Sequence, residues 1–319
     1  MNVTITGASG MIGRRVMKVL TAEGHKVHVL SRHAGTNLPG GVRLSAWDAA
    51  KGEAPEAALR DADAVVHLAG ENVAQRWTAE SKRRIAGSRI AGTRNLVGAL
   101  AKLPARPRAL VCASAIGYYG SRGDEILDET AAPGAGFLAE VCAAWEAEAR
   151  AAEALGVRVV RMRIGVALDS RGGALRRMLT PFRLGAGGRI GGGRQWMSWI
   201  PLQDLAQLFR FVVENPVSGA VNAVAPYPVV NAVFTRELAS ALRRPALFPV
   251  PGFALRALFG EMSEVLLGSQ RVIPKAADAA GFRFQFPQLG PALADILKTG
   301  GAEAAVISDQ STRPPGGGV

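Results

Sequence analysis

Cysteine is scarce in this chain, two residues in 319, and Cys112 and Cys142 stand in neither a CxxC nor a metal-ligand spacing. That excludes a disulfide scaffold and a thiolate-held metal. It leaves two small core-side thiols in a protein suited to a reducing cytoplasm. No metal is expected. No uncharged apolar run is long enough to cross a bilayer, so no membrane association is expected either. The first residues, MNVTITGASG, run straight into a strand pattern without the charged, cleavable leader of a secreted chain. Acidic residues are in deficit, 26 against 38 Lys and Arg, for a net charge of +12. Such an excess raises nucleic-acid binding as a reading. The basic residues are scattered, however, and with aromatics at 6% they form no basic run interleaved with rings. The surplus fits attraction of phosphorylated small molecules better. A homodimer stands as an open expectation.

What is present is a rhythm. VTIT (3–6), VHVL (27–30), AVVHL (64–68), ALVCA (109–113) and VRVVRM (157–162) read as strands. Between them, 11–24, 78–100 and 139–155 repeat apolar residues at three and four, the spacing of helices that cover a sheet. Strand, helix, strand in this order implies an α/β fold, a doubly wound parallel sheet with helices on both faces. After about residue 168 the rhythm breaks into a glycine-rich stretch, 184–199, and then a helical pattern in PLQDLAQLFRFVV. Next come VNAVAP and a helical and strand region ending in GFRFQF (281–286) and PQLGPALADILK (287–298). The chain thus divides into a nucleotide-binding domain, 1–168, completed by about 201–224, and a smaller α/β substrate lobe, 169–200 with 225–298. Residues 299–319 lack apolar periodicity and read as a flexible tail.

The first strand runs into TGASGMIG, residues 6–13. Gly7 permits a tight turn, Gly10 lets backbone approach a pyrophosphate, and Gly13 allows close helix–strand packing. Ser9, Met11 and Ile12 complete a cradle at a helix N-terminus. The spacing is GxxGxxG, and its place between a strand and an amphipathic helix is what a dinucleotide site requires. An acidic residue about twenty positions on would bind the ribose of NAD. Here VHVL is followed by Ser31, Arg32 and His33. An arginine there pairs with a 2′-phosphate, which points to NADP(H). Asp48 could reach the adenine edge, and Leu68, Ala69 and Gly70 are small enough to lie against the ribose and nicotinamide. His67 reads as a satisfied strand histidine.

TGASGMIG, VVHLAG and CASAIGYYG in this order resemble the extended short-chain dehydrogenase/reductase superfamily. The blocks 69–77, 82–93, 114–120, 137–146, 181–200 and 260–275 narrow the resemblance. They match its atypical epimerase-like branch, labelled nucleoside-diphosphate-sugar epimerase or cell-division-inhibitor-like. The resemblance implies a Rossmann fold with Ile164 and Val166 near the cofactor. It also implies a serine that holds the substrate oxygen and a Tyr-xxx-Lys pair that moves the proton. Ser114 fits the serine. Aligned on Glu146, the tyrosine slot falls at Leu138 and the lysine slot at Cys142, so the pair is absent. The expected catalytic groups are therefore Ser114 with Tyr118 or Tyr119. Arg89 is a candidate for the cofactor or for the missing lysine's charge, with Arg84 behind it. Glu71, Asn72, Arg194 and Trp196 are expected on the substrate side. A histidine usual in relatives is replaced around Pro201 and Gln203, leaving Asp204 as a cap for the following helix. The resulting expectation is an NADP(H)-dependent oxidoreductase or epimerase for a small polar, sugar-like substrate, or else a non-catalytic NADP(H)-binding regulator.

Overall fold

The computed structural model describes residues 1–32 and 38–311; His33 lies outside the described residues. The chain begins β1 (Asn2–Thr6), α1 (Met11–Ala22), β2 (Lys26–Ser31), β3 (Arg43–Ala46), β4 (Ala64–His67), α2 (Ala79–Lys102) and β5 (Ala109–Ala115). It continues through β6 (Ile126–Leu127), α3 (Phe137–Arg150), β7 (Arg158–Ile164), β8 (Val166–Asp169) and α4 (Gly173–Arg183). Then follow β9 (Trp196–Met197), β10 (Trp199–Pro201), α5 (Leu202–Glu214), β11 (Gly219–Ala223), β12 (Val229–Val230) and α6 (Asn231–Leu242). The last elements are α7 (Gly252–Phe259), α8 (Glu264–Leu267), β13 (Arg271–Val272), α9 (Lys275–Ala279) and α10 (Leu289–Ser311).

Seven strands form one parallel sheet in the order β11-β7-β5-β4-β1-β2-β3. Both faces are covered, which is why these strands read as nearly continuous apolar runs. Val3, Ile5, Val111, Val160 and Met162 pack under α1 and α5 against Val16, Leu20, Leu205 and Phe209. Leu110, Cys112 and Val159 face the other way, toward Leu96 and Leu100 of α2 and Trp145 and Ala149 of α3. The strand order reverses between β1 and β4, and the crevice at their carboxyl ends is where open α/β sheets bind ligands.

The lobe has its own core, with Leu168, Leu175, Leu179, Trp199, Phe234, Leu238 and Leu293 buried together. Trp199 is fully enclosed and donates its indole N–H to Tyr227 O at 3.1 Å, which makes it core. Three features depart from expectation. The edge strand β3 was not legible in RLSA, because half-exposed edge positions carry no apolar run. GFRFQF forms no strand; Phe282 is buried and stacks edge-on with Phe211 and Phe284. Helix α10 runs on to Ser311, into the segment read as a tail, because alanine-rich GAEAAVISDQS favours helix without needing an apolar stripe.

Candidate functional site

Gly7 has a positive φ of 70°, and a side-chain carbon there would lie 2.6 Å from the Leu68 carbonyl carbon. One on Gly13 would lie 2.3 Å from Gly7 O. Both positions therefore require glycine, the first for the turn and for the approach of β4, the second for helix–strand contact. Gly10 N-caps α1 without a side-chain cap, and the first turn holds no acid. Unsatisfied N–H groups and the positive end of the helix dipole thus face the crevice. Ser9 is exposed there, and Ile12 packs into the core behind it. Met11 supports the loop entering α4, since a carbon on Gly172 would lie 2.7 Å from its sulfur.

Thr6 locks β1 to β4. Its Oγ1 accepts the N–H groups of Leu68 and Ala69, each at 3.2 Å, and lies 2.7 Å from His67 Nδ1. With two donors already pointing at that oxygen, its own proton goes to Nδ1, placing the imidazole proton on Nε2, which has no partner among the described residues. Burial pushes the His67 pKa down to about 4. The unfolded imidazole, near 6.5, binds a proton that the folded one refuses. Folding is therefore favoured above pH 6.5 and weakens as pH falls toward 4, by up to about 3 kcal/mol. Urea midpoints followed from neutral pH through that window should fall for the wild type and fall less for His67→Asn. Parallel pH profiles would refute the assignment.

At the end of β2, Arg32 is exposed and makes no ion pair among the described residues. Ser31 beside it is buried, and its carbonyl accepts Trp47 N–H at 2.9 Å, which brings the chain after β3 alongside. Asp48 follows, and its carboxylate accepts Ala50 N–H at 3.2 Å and lies 3.7 Å from Lys51 Nζ. That carboxylate is engaged in its own turn.

The carboxyl end of β5 holds a buried polar network. Ser114 donates to Glu146 Oε1 at 2.7 Å, and Arg163 meets both Glu146 oxygens through Nε at 2.8 Å and Nη2 at 3.0 Å. Glu146 and Arg163 are 4% and 3% exposed. Burial alone would lower the Arg163 pKa, but Glu146 and Tyr119 more than reverse that and hold it charged. Arg163 Nη1 also donates to Tyr119 Oη at 2.8 Å, and Tyr119 donates to Asn222 Oδ1 at 2.7 Å. Burial pushes Tyr119 up to about 12, with Arg163 pulling the other way.

These placements separate residues that the sequence grouped. Tyr119 is fully enclosed, a support behind the site. Ser114 is also buried, with its proton committed to Glu146, because alternation along CASA puts residues 112 and 114 on the α3 face. Tyr118 is the half-exposed tyrosine, and its hydroxyl has no hydrogen-bond partner among the described residues. The Arg163 guanidinium lies 3.6 Å from the Tyr118 ring centroid. A carbon on Gly117 would meet Leu138 Cβ at 3.2 Å and Cys142 Sγ at 3.9 Å, so both empty slots of α3 do adjoin this edge. Leu138 belongs to an apolar cluster with Val73, Trp77, Phe137, Phe259 and Met262. Cys142 is buried, its thiol pushed up to about 11 by desolvation.

Around the crevice, Leu68 packs into the core and Gly70 lies under Arg89 of α2, whose guanidinium carbon would be 3.3 Å from a carbon placed on that glycine. Arg84 pairs with Glu80 at 2.5 Å, reaches Gln75 at 3.3 Å and lies 4.0 Å from Glu71 Oε1. Glu71 accepts from Gln75 at 3.2 Å, and exposed Asn72 accepts Ala74 N–H at 2.9 Å. Ile164 and Val166 are half-buried on either side of Gly165, at the end of β7 and the start of β8. In the lobe, Arg194 is exposed, whereas Trp196 is held by Asp124 at 2.7 Å and stacked under Arg271 at 4.3 Å. Asp204 does not cap α5 as expected. It sits in the first turn, but its buried carboxylate takes the N–H groups of Gln285 and Phe286 at 3.2 and 2.9 Å, tying the lobe's return segment down.

Sequence reasoning missed Arg163 and Asn222. A signal existed for Arg163: a strand buried on both faces carries arginine only if an acid meets it, and Glu146 stands on the buried side of α3.

A parallel sheet in this order, with an uncapped glycine cradle at its switch point, belongs to the Rossmann class of doubly wound folds. Within that class, the chain is a member of the NAD dependent epimerase/dehydratase family, whose profile matches residues 3–225; a domain of unknown function, DUF1731, matches 250–296. It is 39% identical over 299 residues to epimerase family protein YfhF of Bacillus subtilis, covering 93% of this chain and 98% of that one. It is 43% identical over 294 residues to epimerase family protein Mb2239 of Mycobacterium bovis, covering 91% and 96%. The crystal structure of human epimerase family protein SDR39U1 with NADPH superposes with a TM-score of 0.84 at 37% identity, covering 93% of this chain and 99% of that one. No helix among the described residues is long and apolar enough to cross a membrane.

Proposed function

We propose that the chain is an NADP(H)-dependent oxidoreductase or epimerase acting on a small polar, sugar-like substrate. One observation carries the reading: an uncapped, acid-free α1 N-terminus lies behind the glycine cradle, with an Arg32 that makes no ion pair among the described residues just past the neighbouring strand. The human relative with NADPH supports it. In this reading the N–H groups following Gly10 hold the pyrophosphate, and Arg32 pairs with the 2′-phosphate. The backbone of Leu68–Gly70 flanks the nicotinamide half. When bound, the nicotinamide supplies hydride exchange with a carbinol or carbonyl carbon. Tyr118, whose hydroxyl has no partner among the described residues, exchanges the substrate's proton with water. Ser114, Glu146, Arg163 and Tyr119 keep the edge of β5 fixed beneath it.

A second reading, a non-catalytic NADP(H)-binding regulator, is favoured by Leu138 and Cys142, neither of which moves a proton. Mass spectrometry of molecules released from gently purified, then denatured, protein separates the two. The enzyme reading expects NADP(H) with a second stoichiometric metabolite, turned over by the wild type and not by Tyr118→Phe. NADP(H) alone favours the regulator, and NAD(H) in its place overturns the role of Arg32.

A further inference from the structure

Arg89 is the cation that the fold has placed most oddly. Desolvation lowers its pKa, and no carboxylate lies within ion-pair distance of it among the described residues. Cys142 and Glu71 are near enough to be felt electrostatically. Its described hydrogen bond runs from Nη1 to Ile85 O at 3.1 Å, and its guanidinium lies 5.2 Å from the Trp145 ring centroid. A guanidinium has five N–H donors in a rigid fork. Among the described residues most of that fork is unpaired, held by one carbonyl and one ring against Gly70, just past the carboxyl end of β4. Arg89 is half-buried, so the donors left over are open to the crevice and within reach of a ligand's oxygens.

The direction of the crevice identifies that ligand. With the pyrophosphate at α1 and the adenine side at Arg32 just past β2, the other half of a dinucleotide extends across β1 toward β4, where Gly70 leaves room beside Arg89. We propose that Arg89 donates to the hydroxyls of the nicotinamide-side ribose. It would thereby supply from α2 the fixed positive charge that Cys142, in its slot on α3, does not. This inference rests on the NADP(H) reading and adds a second cationic contact to it. Arg32 reads the phosphate that distinguishes two cofactors, whereas Arg89 reads a group common to both.

Titration of NADPH and NADH into the purified full chain, with the melting temperature of the free protein measured alongside, tests it. Arg89→Ala should weaken both cofactors by a similar factor, roughly ten- to hundredfold for a lost charged hydrogen bond. The free protein's melting temperature should fall only slightly, because the side chain gives up one hydrogen bond to Ile85 O and its contact with the Trp145 ring and no ion pair. Arg89→Ala combined with Cys142→Lys returns the cation from α3 and should recover most of the affinity. A merely structural arginine would instead lower the melting temperature markedly and gain nothing from Cys142→Lys. Unchanged affinity in Arg89→Ala, with NADPH lost in Arg32→Ala, would overturn this inference alone. Absence of NADPH binding by the wild type would overturn the cofactor reading and this inference together.

Discussion

Arg32→Ala should weaken NADPH about tenfold to a hundredfold while leaving NADH within experimental error, the loss expected for one charged contact to a phosphate. The reason lies in position and in isolation. Arg32 follows the last residue of β2, the strand beside β1 on the adenine side of the switch point. It is exposed and has no acid partner among the described residues to compete with a 2′-phosphate. No carboxylate takes the place beyond β2 where ribose recognition in NAD sites uses one. Asp48, the nearest acid along the chain after β3, is occupied by its own turn and by Lys51. Because the affected group exists only on NADPH, the ratio of the two affinities is the quantity to measure. Equal losses for both cofactors would remove Arg32 from the site.

The second large effect concerns the network under β5. Glu146→Ala should lower folding stability by about 3–5 kcal/mol, the range for stranding one partner of a buried pair. Arg163 would keep its charge with nothing opposite it, and Arg161, 3.6 Å from the same carboxylate, would lose its partner too. Ser114 would lose its acceptor as well. Ser114→Ala, which removes one neutral donor from a carboxylate still held by Arg163, should cost only about 1–2 kcal/mol. Urea denaturation of the three proteins at neutral pH gives the comparison. Similar midpoints for Glu146→Ala and the wild type would mean that the ion pair is not a keystone. The effect reaches the site because this pair joins four elements: β5 through Ser114, α3 through Glu146, β7 through Arg163 and β11 through the Tyr119–Asn222 bond.

The same network shows where reading the sequence succeeds and where it stops. The doubly wound sheet was legible because strands covered on both faces must be apolar along their whole length, and their spacing left only helical patterns between them. The cradle was legible because glycine at 7 and 13 answers a local demand, a turn and a close approach, within a few residues. Ser114 looked like a working serine because its position in the motif is local, but its orientation is decided by α3 and β7, which arrive from far along the chain. Tyr118 and Tyr119 are neighbours in sequence and opposites in the fold, one half-exposed and one enclosed. A 3-10 turn after β5 splits them, and no periodicity announces it. Asp204 was misread for the same reason: its partners, Gln285 and Phe286, lie about eighty residues away.

The seventh strand carries a consequence for any attempt to dissect the chain. β11 joins the sheet beside β7 only after the polypeptide has left for the lobe and come back, and α5, on the same return, lays Leu205, Phe209 and Val212 against the α1 face. A fragment ending near residue 168 would bare that greasy face and turn β7 into an open border, its peptide groups waiting for another molecule to pair with. The half that carries the main sheet and the lobe are stitched by three crossings of the backbone. They are one inheritance unit for engineering: a shuffled or transplanted half must carry all three threads.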